Sequence, residues 1–305
     1  MVKTAVIVCT KDRASDLERC LNSLRSQEFP PAELVVVDSS RTDDTRRLVD
    51  HFRMASGIQL EYKHCEPGLT KQRNLGLRLL KTMPEVVCFL DDDVELAPGY
   101  LVEVSRRFEA DRELLGVCGN VVNERKKGIL DRIIRRLFFI SDYSNGKMLP
   151  SGDAGHIHAP LRDHAVAVLA GCNMCYRREV FHRHGLTFDE RLSHYGYMED
   201  QDFSYRVSRH GRMEQLANAR LVHHVSPASR PGQKDLFENY IINSFYIFRK
   251  NHSADGCAYI WYGLRLLGKL LHAFQLTLKF RSALPLKGWI CGFSRIRSLV
   301  DRCEQ

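Results

Sequence analysis

The chain has 305 residues, enough for one large α/β domain or for a domain with an appendage. Hydrophobic residues make up 44% and charged residues 27%, which excludes global disorder and leaves ample apolar material for a packed core. The formal net charge of +8 favours anionic partners: nucleic acid, acidic lipid or phosphorylated small molecules.

Met1 and Val2 lead directly into an apolar run, without the basic segment and long apolar stretch of a signal peptide. No stretch reaches the roughly 18 consecutive apolar residues of a membrane span, so the expected location is cytoplasmic. The first 120 residues alternate strand and helix signals. Residues 4–9 are a β-branched strand. Residues 15–26 have helical spacing, with Leu17, Cys20, Leu21 and Leu24 on one face and Ser15 as the expected N-cap. Strand 33–37 is followed by a helix over 43–54 opened by Asp43 and Asp44, then by a strand over 58–63. Residues 70–82 read as a helix capped by Thr70, 86–90 as a buried strand, Pro98 as a helix start and 115–122 as a fifth strand. Such alternation predicts βαβ crossovers and a mainly parallel sheet. Ligands bind beyond the carboxyl ends of such strands, which directs attention to Thr10–Arg13, Asp38–Ser40 and Asp91–Asp93.

Most of the ten cysteines sit in apolar strands (Cys9, Cys88, Cys118) or a helix (Cys20), the pattern of buried free thiols. Cys172 and Cys175 form the sole C-x-x-C, with no second pair at finger spacing, which argues against zinc. After residue 123 the pattern changes. Residues 125–136 are rich in Arg and Lys, 141–164 form a polar loop, 165–226 are organised again, and 232–281 are strongly helical.

Asp91-Asp92-Asp93 directly follows an apolar strand. Three adjacent carboxylates repel one another, and a hard divalent cation is the usual way of neutralising them. A solvated acidic turn would look similar, but the position at the end of a buried parallel strand favours a metal. No P-loop and no G-x-G-x-x-G are present.

With these residues in view, the chain resembles the family 2 glycosyltransferases, inverting enzymes of the GT-A fold. The resemblance rests on VIVCTKDRASDLERCLNSL, VVVDSSRTDDT, FLDDDVEL and GYMEDQDFSYRVSRHG, with GLTKQRNLGL and LAGCNMCYRREVF fitting the middle segments. It spans about residues 3–226. It implies an α/β fold of GT-A type: a Rossmann-like, mainly parallel sheet flanked by helices, followed by a C-terminal helical extension. The expected division is 1–122 as the nucleotide-sugar-binding half, 123–231 as the acceptor-binding and catalytic half, and 232–305 as the extension.

The resemblance also assigns roles. Thr10, Arg13, Asp38, Lys71, Arg73, Asn74, Asp91 and Asp92 would surround the nucleotide sugar, with Asp38 accepting from the imide N–H of uracil or thymine. Arg73 could equally be a surface helix residue. Asp93 and Asp91 would hold the metal, Mn²⁺ or Mg²⁺, with His223 or His224 completing the shell; His223 fits the family position better, and imidazole suits Mn²⁺ better than Mg²⁺. Gly171, Cys172 and Asn173 would lie beside the donor sugar and acceptor. Asp200 would be the general base, with Glu199 as its catalytic neighbour. His156, His158 and His164, lacking supporting carboxylates, read as acceptor-loop residues.

The expected partners are therefore a UDP- or dTDP-sugar and a glycan or lipid-linked acceptor, as in polysaccharide biosynthesis. A nucleotidyltransferase of related fold should carry a Gly- and Lys-rich phosphate loop after the first strand, and CTKDRASD has no glycine. A nucleic-acid-binding protein should cluster its cations beside aromatic residues; here they are spread over helices, so no nucleic-acid partner is expected.

One more pattern concerns membranes. Residues 258–280 have the length of a span but contain Arg265, Lys269, His272 and Lys279, which fall within one arc of a helix. Leucines and aromatics occupy the rest, the pattern of a helix lying in the interface, and 129–140 repeats it with Arg132, Arg135 and Arg136 on one side. Peripheral attachment to an anionic membrane surface, on its cytoplasmic face, follows. A helix packing its apolar arc on the protein and solvating its basic stripe would share the same sequence.

Overall fold

The computed structural model describes residues 1–124, 128–141, 146–155, 157–192, 196–228, 230–252 and 256–296. The chain divides into two compact units, one comprising 1–125 and 157–229, the other 126–156 and 230–305.

The first unit is built on one sheet of nine strands. These are β1 (Thr4–Thr10), β2 (Glu33–Asp38), β3 (Leu60–His64), β4 (Val86–Asp91), β5 (Val94–Leu96), β6 (Leu114–Val121), β7 (His164–Ala165), β8 (Asn173–Arg177) and β9 (Arg212–His223). Their order is β3-β2-β1-β4-β8-β6-β9-β5, with β7 also paired to β9. The first four are mutually parallel, β8 is antiparallel to both β4 and β6, and β6 is parallel to β9.

Helices α1 (Ala14–Arg25), α2 (Asp44–Ser56), α3 (Leu69–Leu79) and α4 (Tyr100–Ala110) make the early crossovers, and α6 (Glu179–His182) and α7 (Glu199–Ser208) come later. Both faces of the sheet are covered, which is why β1, β2 and β4 read as unbroken apolar runs. Val6, Val8, Leu34 and Val36 pack in one cluster with Leu17, Leu21 and Phe108. Ile7, Val35, Val37 and Phe89 face the other, with Phe188, Phe203 and Val207.

Two expected caps differ. Helix α1 starts at Ala14 with Arg13 as N-cap, so Ser15 lies inside it. Helix α3 is capped by Gly68, and the Thr70 hydroxyl instead donates to Leu192 O, because a buried hydroxyl needs a partner of its own. Cys9, Cys20, Cys65, Cys88, Cys118, Cys172 and Cys175 of the first unit are free thiols.

The second unit is helical, with α5 (Ile129–Leu137), α8 (Gln233–His252), α9 (Ala258–Phe280) and α10 (Leu284–Arg295). Arg265 of α9 is buried, with Nε 2.8 Å from the Tyr240 hydroxyl and 3.3 Å from Asp153 Oδ2. Its Nη1 donates to Ser151 O, joining the 146–155 segment to α8 and α9. Among the described residues no helix is long and apolar enough to cross a membrane.

Candidate active site

The parallel register brings the ends of β1–β4 into one row. Thr10 is opposite Asp38, Asp38 opposite His64, and Cys9 opposite Asp91. The first polar residue after each apolar run therefore reaches the same edge of the sheet.

At the end of β4 the three aspartates have different surroundings. Asp92 is buried, accepting from the Thr10 hydroxyl at 2.7 Å and from Arg13 Nη1 at 3.1 Å. Burial outweighs these partners and pushes its carboxyl up to about 7. Asp93 accepts from Ser226 N–H at 2.8 Å through Oδ2, and its Oδ1 stands 3.1 Å from His223 Nε2. Burial would raise Asp93, but His223, the Ser226 N–H and Arg13 together lower it to about 2. Burial likewise opposes the His223 imidazolium, yet Asp93 and Cys172 hold it up at about 11. Asp91 is half-buried beside Arg73 Nη2, and burial raises its carboxyl. Asp12 and Val225 take left-handed backbone at φ 52° and 53°. For a β-branched residue that conformation is strained, and Val225 sits in the turn that returns Ser226 to Asp93.

Asp91, Asp93 and His223 each offer one ligand atom, all within 4.8 Å of one another. Two carboxylate oxygens and an imidazole nitrogen are a donor set that fits a divalent cation with a preference for Mn²⁺. His224 turns away and pairs with Glu95 at 3.0 Å. His158 does have a carboxylate partner, Glu124 Oε2 at 2.8 Å. His164 lies in β7 opposite Gln215 of β9, and His156 lies outside the described residues.

Around this corner the other expected site residues have varied surroundings. Asp38 is fully buried: its Oδ1 accepts from Ser40 N–H and its Oδ2 from the Tyr62 hydroxyl, so its carboxylate is directed into the fold. Lys71 is exposed, whereas Gln72, Arg73 and Asn74 are buried. Gln72 donates to both Thr10 O and Val37 O, tying the ends of β1 and β2 together; the sequence reading passed over this residue. Asn74 donates to Phe188 O and Glu190 Oε1 and accepts from Phe188 N–H, which latches the 188–190 segment to α3. Asn173 is also fully buried, and its Oδ1 accepts from Gly119 N–H and the Tyr100 hydroxyl where β6 breaks register.

Arg73 is the centre of the remaining network. Its Nη1 lies 2.5 Å from Glu199 Oε1, and its Nη2 lies 3.3 Å from Asp91 Oδ1 and 3.1 Å from Gly171 O. Its guanidinium also stacks 5.2 Å from the Phe188 ring. One buried cation therefore links the acidic end of β4 to the acidic start of α7. Burial raises the Glu199 carboxyl, against the pull of Arg73.

Helix α7 starts after Met198, which is in the left-handed region at φ 71°, so that Glu199 and Asp200 fall in its first turn. A helix N-terminus favours ionised carboxylates there. Asp200 is half-buried and packs on Gly171: a Cβ added to that glycine would stand 2.9 Å from Asp200 Oδ2. Cys172 accepts Asp91 N–H through its carbonyl, so Gly171–Cys172 connects the two acidic segments through the backbone.

Known proteins share this fold. Over 131 residues the chain is 33% identical to the GalNAc(5)-diNAcBac-PP-undecaprenol beta-1,3-glucosyltransferase of Campylobacter jejuni, covering 41% of this chain and 40% of that one. The aligned part is thus less than half of that relative. Among solved structures, Staphylococcus aureus TarS 1–349 in complex with UDP-GlcNAc superposes with a TM-score of 0.55 at 18% identity, covering 88% of this chain and 72% of that one. The mannosyltransferase PcManGT of Pyrobaculum calidifontis, in complex with GDP-Man and Mn²⁺, gives a TM-score of 0.59 at 17% identity, covering 97% and 87%. At these identities the likeness establishes the GT-A-type fold. The profile described as "Glycosyl transferase family 2" matches residues 5–185, more than half of the chain, and the chain belongs to that family.

Proposed function

We propose that this family 2 glycosyltransferase moves a sugar from a nucleoside-diphosphate donor, UDP- or dTDP-linked, to a hydroxyl of a glycan or lipid-linked acceptor by single displacement with inversion. The observation that carries the reading is the Asp91, Asp93 and His223 group at the edge where β1, β2 and β4 end. A divalent cation bound by those three residues would neutralise the charge that develops as the nucleoside diphosphate leaves. The UDP-GlcNAc complex of TarS supports a uridine donor. The Campylobacter relative, whose name includes PP-undecaprenol, supports a lipid-linked acceptor.

The chain's own residues then divide the work. Asp200 takes the proton from the acceptor hydroxyl as that oxygen attacks the anomeric carbon. The half-buried position of Asp200 against Gly171 supports this role, since a base must be held in place and still be reachable. Arg73 is a positioning residue: it fixes Asp91, Glu199 and the Gly171 carbonyl relative to one another. Arg13 holds Asp92 and, through Ala228 O, the segment that follows His223. Inversion follows from attack opposite the leaving group.

A thermal-shift panel tests the reading. Nucleotide sugars and free nucleoside diphosphates are screened with Mn²⁺, with Mg²⁺ and with EDTA. At least one uridine or thymidine compound should raise Tm with metal and lose that effect in EDTA. No metal-dependent stabilisation by any nucleotide would overturn the proposal.

A further inference from the structure

Helix α9 is oriented against the usual rule for a surface helix. Three of the four residues of its basic stripe are turned inward: Arg265 is buried on Asp153 and Tyr240, Lys269 Nζ sits 4.0 Å from the centre of the Tyr240 ring, and His272 faces Phe237. Its opposite stripe, Ile260, Leu267, Leu271, Phe274 and Leu278, is 41–65% exposed. At about 100° per residue those five fall within an arc of about 60°. A helix in water normally shows the reverse.

Neighbouring helices of the same unit also carry exposed apolar side chains. Gly288 and Gly292 seat α10 against α8, where any Cβ would meet Lys234 O or Ile241, and this leaves Ile290 and Phe293 outward, 54% and 51% exposed. Phe138 fits into the space at Gly268 of α9, and Phe139 packs on Trp261 at 4.7 Å. That contact anchors the end of α5, whose Ile133 and Leu137 are 57% and 65% exposed. Three helices of one unit therefore carry large exposed apolar side chains, more than isolated surface residues account for.

Charge identifies the partner. The unit made of 126–156 and 230–305 contains 18 Lys and Arg against 8 Asp and Glu, a net of +10. The other unit contains 27 against 29, a net of −2, so the positive charge of the whole chain resides on the helical unit. Arg132 and Arg136 of α5, Lys279 and Arg281 at the end of α9, and Lys287 of α10 are exposed on the same three helices or at their ends. A second copy of the chain would set +10 against +10. A leaflet containing anionic lipid would complement both the charge and the apolar stripe. Trp261 and Tyr259, at one end of α9, are the residue types that favour the headgroup level.

We propose that the face formed by α5, α9 and α10 is a docking surface for an anionic lipid bilayer, with α9 lying in the plane of the interface. The proposal goes beyond the transfer chemistry and stands without it, since no residue of the acidic site takes part.

Flotation of the full chain with vesicles tests it, at 0.1 M NaCl. Protein should co-float with phosphatidylcholine vesicles containing one-third phosphatidylglycerol, and about tenfold less with phosphatidylcholine alone. Leu271→Glu with Phe274→Glu should lower the bound fraction about tenfold while circular dichroism and Tm stay at wild-type values, because both side chains are largely outside the core. Three results would overturn the proposal. The wild type could fail to float with anionic vesicles, the double variant could float as well as the wild type, or light scattering without lipid could show a dimer that the double variant dissociates, which assigns the face to a second copy.

Discussion

Gly171→Ala is the sharpest small perturbation of the proposed base. The backbone at Gly171 is not in the left-handed region, so alanine brings no conformational strain there. Its new Cβ would stand 2.9 Å from Asp200 Oδ2 and 3.2 Å from Asp200 Cβ and Cγ, where ordinary contact begins near 3.4 Å. The Asp200 carboxylate must therefore retreat by about 0.5 Å, the tolerance within which a catalytic group keeps its productive geometry. A displacement of that order predicts a loss of about 10- to 100-fold in kcat, equivalent to about 1.4–2.7 kcal/mol of barrier. Stability should hardly change, because the group displaced is the end of a half-exposed side chain. The assay is steady-state transfer with both substrates varied, together with the Asp200→Asn background. If the alanine acts through Asp200, then Gly171→Ala with Asp200→Asn should be no worse than Asp200→Asn alone. A wild-type kcat in Gly171→Ala, or losses that add fully in the double variant, would refute the reasoning.

Other expectations follow from the same geometry. Asp200→Asn should keep its affinity for the nucleoside diphosphate, measured by calorimetry, while losing turnover; a large loss of affinity would move Asp200 into the binding shell. Arg73→Met leaves the buried Glu199 and the half-buried Asp91 without their cation and should cost about 3–5 kcal/mol in urea unfolding, together with a fall in kcat. Asp153→Leu strands the buried Arg265 and should cost a similar amount, about 3–5 kcal/mol, without touching the acidic site. Hydrolysis of an α-linked donor in the absence of acceptor should first release the β anomer by NMR; initial release of the α anomer would exclude single displacement.

The parallel core was readable because of where it lies. Strands β1, β2 and β4 are covered on both faces, so they appear as apolar runs whose first polar residue marks the carboxyl end. That rule alone pointed to Thr10, Asp38 and Asp91. What the sequence did not disclose depends on partners far along the chain. Arg73 and Asn74 look like surface residues of an amphipathic helix, and their burial is decided by Glu199, 126 residues away, and by Phe188, 114 away. The row Thr70-Lys71-Gln72-Arg73-Asn74 did carry a signal: at about 100° per residue five consecutive polar residues go all round a helix, so some of them must face the sheet. Strand β5 has three residues and follows the acidic run directly, too short for a periodic pattern. In α9 the basic arc was visible, but not that it turns inward, because its carboxylate partner Asp153 stands on a distant loop. Nor does any periodicity group 126–156 with the C-terminal helices.

Asp91, Asp93 and His223 are proposed to bind a divalent cation together with a nucleoside diphosphate. Electron paramagnetic resonance of Mn²⁺ addresses this binding without knowledge of donor sugar or acceptor. Titrating the full chain into Mn²⁺ with UDP or dTDP should quench the free six-line signal at one site per chain. Asp93→Asn, which keeps an acceptor for the Ser226 N–H, should lose at least about tenfold in that affinity. Quenching by the wild type that Asp93→Asn leaves unchanged, or no quenching beyond that by nucleotide alone, would contradict the account.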